Sequence, residues 1–173
     1  NPATLLDSSL DATSIAITPM RYYFIDVTPA AKSDLTGIKT FSGSTEFLGS
    51  GSGGDVTKFN GEMFVVFGTG SVSGNLDLEV GDAQTNNQTW HVDYSGQVNG
   101  PQVEMDQVWG NMSDQQGDSH YVSGEMGGLF ADPGDTYVGG FNLQTLDQQK
   151  EHVEGVYLLE ETNLLEDTNL LDQ

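Results

Sequence analysis

The sequence predicts an all-β protein, an eight-stranded antiparallel up-and-down barrel preceded by an irregular N-terminal segment. Beyond residue 60 the chain is divided by turn residues into segments of about ten residues, the spacing of a barrel or a sandwich. Apolar and polar residues alternate within these segments, as in strands with one buried face. Nearly every segment contains a glycine, which suggests the sharp bends that barrel closure requires. The alternative is an open sandwich whose strands are kinked by bulges.

Eight segments are predicted to be strands. In the clearest of them, Val72, Leu76 and Leu78 share one face, while Asn75 and Asp77 take the other. Turn residues at 99–101 and 132–135 favour tight connections between antiparallel neighbours. The predicted strands are Arg21–Val27, Glu62–Gly68, Ser71–Val80, Thr89–Val98, Gln102–Asn111, Tyr121–Ala131, Thr136–Thr145 and His152–Leu159.

The chain is predicted to have three parts. Residues 1–60 form an irregular segment with edge strands and a Gly/Ser linker at Gly49–Gly54, residues 61–160 form the barrel, and residues 161–173 form an acidic tail. The linker has the glycine spacing of a dinucleotide-binding loop, but no helix start follows it. Leucine pairs recur every six residues from Leu158 onward, a period that keeps them on one face of an extended strand. A solvated acidic tail is the alternative.

Charge and composition exclude several classes of partner. The chain has 26 acidic residues against five Lys and Arg, a formal net charge of −21, so it lacks the basic footprint needed for nucleic acid or anionic membranes. It contains no Cys, which excludes disulfides and thiolate chemistry and is common in exported bacterial proteins. The longest apolar run, Met63–Phe67, is too short for a membrane span. We therefore expect an extracellular or outer-membrane surface location on a bacterium.

Catalysis is not expected. His91, His120 and His152 lie on separate segments, and no nucleophile elbow, zinc-binding His-Glu-x-x-His or phosphate-binding loop is present. Glu104 and Asp106 share a predicted strand face, and a carbohydrate-active or hydrolytic domain using this pair is a weaker alternative. Alternating acids on a wet face are, however, expected in so acidic a chain. The sequence thus predicts a binding protein and not an enzyme.

The candidate partner-binding residues are aromatic. Most of the aromatic set, including Trp90, Tyr94 and Tyr137, is expected to fill the barrel. Trp109 breaks the parity of its apolar neighbour and is predicted to lie on the surface, where Trp often anchors a partner. His120 and Tyr121 complete the predicted contact set.

A structural calcium ion is the only metal considered. Asp114, Asp118, Asp132 and Asp135 lie in or beside predicted loops, where hard oxygen ligands can converge on a cation. The spacing of an EF-hand is missing. No other cofactor is expected, with haem considered only as a ligand.

Residues Gly128–Phe141 resemble a hairpin of the transferrin-binding protein B-like barrels, in which a Gly-x-Phe strand end leads through a Gly-Pro-rich turn into Gly-Gly-x-Phe. Gly74–Leu78 and Gly155–Leu159 are similar to other strands of that family. Similar barrels are also joined to bacterial FecR-domain proteins. The resemblance covers roughly residues 62–160 and implies an eight-stranded barrel on a Gram-negative surface lipoprotein or secreted relative that captures a host protein, haem or another ligand.

Two functions from different classes are therefore predicted. The first is an exported, surface-associated module that captures a protein or a small ligand such as haem through barrel loops. The second is a self-assembling structural or adhesive subunit, a homo-oligomer whose extended termini add strands to neighbouring copies.

Overall fold

The structure is a computed structural model that describes residues 13–17, 23–82, 84, 87–148 and 150–162. Two parts of the chain with a predicted role in strand addition lie outside these residues, namely the N-terminal end before residue 13 and the repeats of the acidic tail from residue 163 onward.

Eleven strands make up the described secondary structure, together with one 3-10 turn at Lys32–Asp34. The first two form a separate antiparallel hairpin, and the other nine form one sheet. The strands are β1 (Thr13–Ile17), β2 (Tyr23–Val27), β3 (Ile38–Gly43), β4 (Phe47–Gly51), β5 (Gly54–Val66), β6 (Ser71–Val80), β7 (Gln88–Asn99), β8 (Gln102–Ser113), β9 (Ser119–Ala131), β10 (Thr136–Thr145) and β11 (His152–Glu161).

The large sheet closes into an antiparallel barrel with eight strand positions, as the sequence predicts. Strands β5 to β11 each pair with their sequence neighbours, and β10 pairs with β11 along most of its length. The remaining position, between β5 and β11, is shared by two short strands. β3 pairs with Glu160 and Glu161 of β11, whereas β4 pairs with residues 153–157. An excursion at residues 44–46 separates the two.

Two predictions about the N-terminal third are wrong. The segment Arg21–Val27 does contain a strand, but this strand pairs with β1 and not with the barrel. The supposed linker Gly49–Gly54 belongs to the barrel, because β4 ends at Gly51 and β5 begins at Gly54. The barrel therefore begins at Ile38 and not at residue 61.

Close strand packing explains why this barrel strand has the composition of a linker. A Cβ atom on Gly51 would lie 2.0 Å from the main-chain oxygen of His152, and one on Gly49 would lie 2.6 Å from that of Glu154. Only glycine permits this approach of β4 to β11. Gly54 has a φ of +120°, which glycine adopts without strain at the end of the two-residue turn.

Turns lie at both ends of the barrel. The upper end carries the connections β4–β5, β6–β7, β8–β9 and β10–β11, and the lower end carries β5–β6, β7–β8 and β9–β10. At the lower end Ala30 and Leu35 are buried in the core cluster. The amine of Lys39 donates to the main-chain oxygen of Gly134 at 3.3 Å and pairs with Glu161 at 3.5 Å. The chain before β3 thus covers this end.

The upper end is spanned by a hydrogen-bonded chain of side chains. The indole N–H of Trp90 donates to Oε1 of Gln88 at 3.1 Å, and Nε2 of Gln88 donates to Oε2 of Glu151 at 3.0 Å. The same carboxylate oxygen accepts a hydrogen bond from the hydroxyl of Ser52. Because β7 and β11 lie four strand positions apart in a ring of eight, the Gln88–Glu151 contact crosses the mouth of the barrel.

Aromatic rings fill the interior in a continuous series. Ring contacts with centroids between 5.0 and 6.2 Å apart run along the barrel axis. Such tilted and edge-on pairs add to the stabilisation from apolar burial. The rings in this series are Phe41, Phe47, Phe59, Phe67, Phe130, Tyr137, Phe141 and Tyr157.

Several of the strand glycines make room for tyrosine rings. Gly74 is directly opposite Tyr94 and Gly139 is directly opposite Tyr157 in the ladders. A Cβ atom on Gly139 would lie 2.5 Å from Cζ of Tyr157, so a side chain there would displace the ring. The sequence suggested bending as the role of these glycines. At Gly74 and Gly139, close packing of a ring onto the neighbouring strand is the more direct reason.

Candidate functional site

Most outward side chains of β5 to β9 are polar, and this surface is called the polar face below. Each strand contributes every second residue, and the register aligns these residues in rows across the sheet. In the central row every member lies directly opposite the next. The row runs Asn60, Asp77, His91, Asn111 and Tyr121.

A groove of about 480 Å³ follows part of this row. This volume falls within the range of about 300–1,000 Å³ typical of small-molecule sites. The next row towards the upper end forms its other wall. The side chains that line the groove include Lys58, Asn60, Asp77, Glu79, Thr89, His91, Asn111 and Ser113.

The charged groups of the groove are already paired. Nδ1 of His91 lies 2.6 Å from Oδ1 of Asp77, and Nε2 lies 3.4 Å from Oδ2 of Asp93. The hydrogen bond with Asp77 is the main cause that raises the pKa of His91, and the nearby charges of both carboxylates act in the same direction. Lys58 pairs with Glu79 at 3.2 Å. The groove therefore offers hydroxyl and amide groups more readily than free charge.

Two exposed aromatic residues lie beside Asn111 at the β8 end of the groove, outside the residues that line it. Trp109 is 48% exposed and lies directly opposite Asp93, while Tyr121 is 76% exposed and ends the central row. The exposure of Trp109 confirms the prediction drawn from its broken parity. The structure brings Trp109 and Tyr121 to the same face, on adjacent strands.

The wall of the barrel is irregular beside Trp109. Asp106 is an extra residue in β8, since Ser95 lies opposite Gln107 and Gly96 lies opposite Met105. The β8–β9 ladder is interrupted between the pair at Glu104 and the pair at Gly110. Bulges of this kind commonly redirect a side chain near functional sites. This one accounts for the shift of parity along β8.

His120 lies apart from the two exposed aromatic residues. Its side chain lies on the opposite side of β9 from Tyr121 and is only 10% exposed. Nε2 lies 2.9 Å from Oδ2 of Asp114, and Nδ1 contacts Oδ2 of Asp147. The three residues of the predicted contact set therefore do not form one site. His120 is on the other side of the sheet, and both of its ring nitrogens already contact aspartates.

This Asp114–His120–Asp147 cluster joins two loops at the upper end. Hydrogen bonds with Asp114 and then Asp147 raise the pKa of His120, and the bond from His120 is the main cause that lowers the pKa of Asp114. The second oxygen of Asp114 accepts the main-chain N–H groups of Gln116 and Asp118, at 3.0 and 2.9 Å. The cluster fixes the β8–β9 turn against the β10–β11 loop.

The prediction of one calcium site from four aspartates is wrong. Asp114 and Asp118 lie in the β8–β9 connection at the upper end, while Asp132 and Asp135 lie in the β9–β10 connection at the lower end. Successive turns of an up-and-down barrel are on opposite ends, so these carboxylates cannot converge. Within the described ranges, no three His, Asp or Glu side chains have an arrangement that could hold a metal ion.

The predicted acid pair Glu104 and Asp106 lies on the outer surface. Both residues are exposed, and Asp106 is the bulged residue of β8. The prediction that the two acids share a strand face assumed that side chains alternate regularly along β8, and the bulge at Asp106 interrupts this alternation.

Sequence reasoning missed the groove itself. The alternation of residues 75–79 and 91–93 identified a wet face, but the transverse rows depend on the register between strands. Pairs such as Asp77 with His91 could be found only by aligning neighbouring strands from their turns.

No family model matches the chain, and no curated protein matches it either. Among the described residues, no helix has the length and apolar character needed to cross a bilayer.

Proposed function

We propose that this protein is an exported, surface-associated binding module that captures a protein or a small ligand without a catalytic step. The observation that carries the proposal is the pair of exposed aromatic residues, Trp109 and Tyr121, which lie on neighbouring strands of the barrel beside the bulge of β8. Exposed Trp and Tyr are enriched among residues that dominate binding energy. An exposed polar sheet face with two aromatic anchors suits capture of a partner.

The packed interior supports the same proposal. Aromatic side chains fill the axis, residues before β3 cover the lower end, and the Gln88–Glu151 contact crosses the upper mouth. We therefore assign binding to the outer surface and its adjacent loops.

Bacterial surface location and membership of the transferrin-binding protein B-like barrels are part of the proposal. The closed eight-position barrel is the fold that this resemblance implies. The absence of Cys and the net charge of −21 suit an exported protein.

A comparison of variants in a pull-down tests the proposal. Immobilised wild-type protein is exposed to serum and to bacterial growth medium, and a haem titration is run in parallel. We expect a partner that the wild type retains and the double variant Trp109→Ala/Tyr121→Ala loses. Phe64→Ala is the control, since Phe64 is also an exposed aromatic residue but lies on β5, away from Trp109 on β8 and Tyr121 on β9. Retention of no partner, or equal retention by all variants, would contradict the proposal.

A second candidate function is self-assembly by strand addition. The main-chain N–H of Thr162 donates to the oxygen of Thr40 at 2.8 Å, so the chain leaves the barrel along β3. Deletion of residues 163–173 retains this contact and removes the leucine repeats. Light scattering should then show a smaller assembly than the full chain, and an unchanged mass would exclude this role for the tail.

A further inference from the structure

We infer that the groove of the polar face binds an uncharged oligosaccharide. This inference rests on the proposed binding function and names the class of ligand. It follows from the neutral polar groups of the groove, the aromatic residues at its border and the pairing of its charges.

The neutral groups match the requirements of sugar hydroxyls. A hydroxyl both donates and accepts, and the side-chain amide of Asn also offers both. Within the described part of the chain, no side-chain hydrogen bond uses the amides of Asn60 and Asn111 or the hydroxyls of Thr89 and Ser113. These groups are therefore available to a ligand without breaking a contact of the protein.

The aromatic border supplies the second part of sugar recognition. The C–H groups on one face of a pyranose carry a small positive charge, and the face of an indole or phenol ring is negative. Tyr121 lies directly opposite Asn111, and Trp109 is two residues before Asn111 on β8. Both aromatic rings are therefore neighbours of the Asn111 amide. A sugar that stacks on either ring can reach the amide of Asn111.

The dimensions of the face favour a chain of sugars over a single one. Neighbouring strands are about 4.8 Å apart, close to the length of one pyranose unit in a polysaccharide. The central row crosses five strands, from Asn60 on β5 to Tyr121 on β9. Because β5 and β9 lie four positions apart in the ring of eight, only part of this row can face one ligand. An oligosaccharide of two or three units across β7, β8 and β9 would meet His91, Asn111 and Tyr121 in turn.

Charge selects an uncharged ligand. The net charge of −21 repels anionic glycans. The same charge attracts a cationic peptide or polyamine, but such a ligand would have to compete with His91 for Asp77 and with Lys58 for Glu79. A neutral glycan needs neither pair to be broken.

Calorimetric titration with cellohexaose, xylohexaose, mannohexaose and maltohexaose tests the inference, with spermine and oligogalacturonate as charged comparisons. We expect at least one neutral hexasaccharide to bind at micromolar to millimolar concentration. Trp109→Ala and Asn111→Ala should each weaken binding up to about tenfold, the effect of losing one stacking or hydrogen-bonding contact. Phe64→Ala, which removes an exposed ring on β5 and not one beside Asn111, should bind as the wild type does.

Fluorescence provides a second readout. Trp109 is exposed, whereas Trp90 is buried beneath the groove, so a sugar stacked on Trp109 should change the emission of Trp109 more than that of Trp90. Trp109→Phe should abolish that change while calorimetry still detects binding, because a ring remains. Circular dichroism verifies that every variant is folded.

The outcomes separate the two proposals. If no neutral hexasaccharide binds, or if Trp109→Ala and Asn111→Ala bind as well as the wild type, the glycan inference is wrong. If a protein partner is nevertheless retained through Trp109 and Tyr121, the binding function stands. If neither ligand class is retained, both proposals fail.

Discussion

Substitution of Gln88, at the barrel mouth, by Ala should lower the free energy of unfolding by about 2–4 kcal/mol. Gln88 is 2% exposed and links Trp90 to Glu151. A neutral hydrogen bond contributes about 0.5–1.5 kcal/mol and one to a charged group about 1.5–3 kcal/mol. The two hydrogen bonds together account for the expected loss. The loss should be near the upper end of its range, because Trp90, 1% exposed, would retain a buried N–H without a partner.

Urea unfolding followed by circular dichroism measures this effect. With a slope of about 2 kcal/mol per molar, the midpoint should fall by about 1–2 M. Gln97→Ala is the matched control, because Gln97 is on the same strand and exposed, and such surface changes alter stability by no more than about 0.5 kcal/mol. Glu151→Gln should have an intermediate effect, since the amide retains an acceptor for Gln88.

Equal midpoints for the two glutamine variants would refute this reasoning. The contact across the mouth would then contribute nothing, and the upper end would have to be regarded as open to the interior. Assignment of ligand binding to the outer surface would lose one of its supports.

Three further predictions concern the core and the upper loops. Tyr157→Phe should change the free energy of unfolding by no more than about 1 kcal/mol, because its buried hydroxyl makes no well-formed hydrogen bond among the described residues and interacts weakly with the buried hydroxyl of Tyr137; Tyr94→Phe should lower it by about 0.5–1.5 kcal/mol, since its hydroxyl donates to a main-chain oxygen. Thermal unfolding should show Gly139→Ala destabilised by about 1–3 kcal/mol or more, whereas Gly68→Ala, with open space around it, should match the wild type. His120→Gln should reduce stability more at pH 6 than at pH 9, because the raised pKa of His120 gives a contribution present below about pH 6.5 and lost as the pH rises through the folded value; equal losses at both pH values would contradict the cluster.

Much of the fold could be predicted from alternation alone. The predicted strands Ser71–Val80 and Thr136–Thr145 agree with β6 and β10 at every residue. Most of their inward residues are large and apolar, apart from Gly74, Gly139 and Thr145, and their turns contain glycine or proline, so local pattern and global packing favour the same structure.

The missing barrel strand could not be predicted, because its inward positions include Gly49 and Gly51. Their role is defined by what β11 places against them, and sequence composition does not contain that information. From sequence alone, a glycine that accommodates a neighbouring main chain cannot be distinguished from a glycine in a flexible linker.

The candidate site was predictable only in part. The exposure of Trp109 followed from broken parity along one strand. The cluster at His120 needed a partner from another loop, Asp147, which is 27 residues away in sequence. The groove needed the register of five strands, and register is a property of pairs of strands rather than of single segments.

The shared strand position has a consequence for how the barrel is made. β3 and β4 come first among the barrel strands in the chain and β11 comes last, yet they lie side by side. A nascent chain still lacking β11 can form only an open curved sheet, with both outer strands exposed to other molecules until synthesis reaches Glu161. The same adjacency suits circular permutation: a chain opened at the Asn99–Pro101 turn, with its original barrel ends connected, would keep every strand pair and lose only the β7–β8 turn.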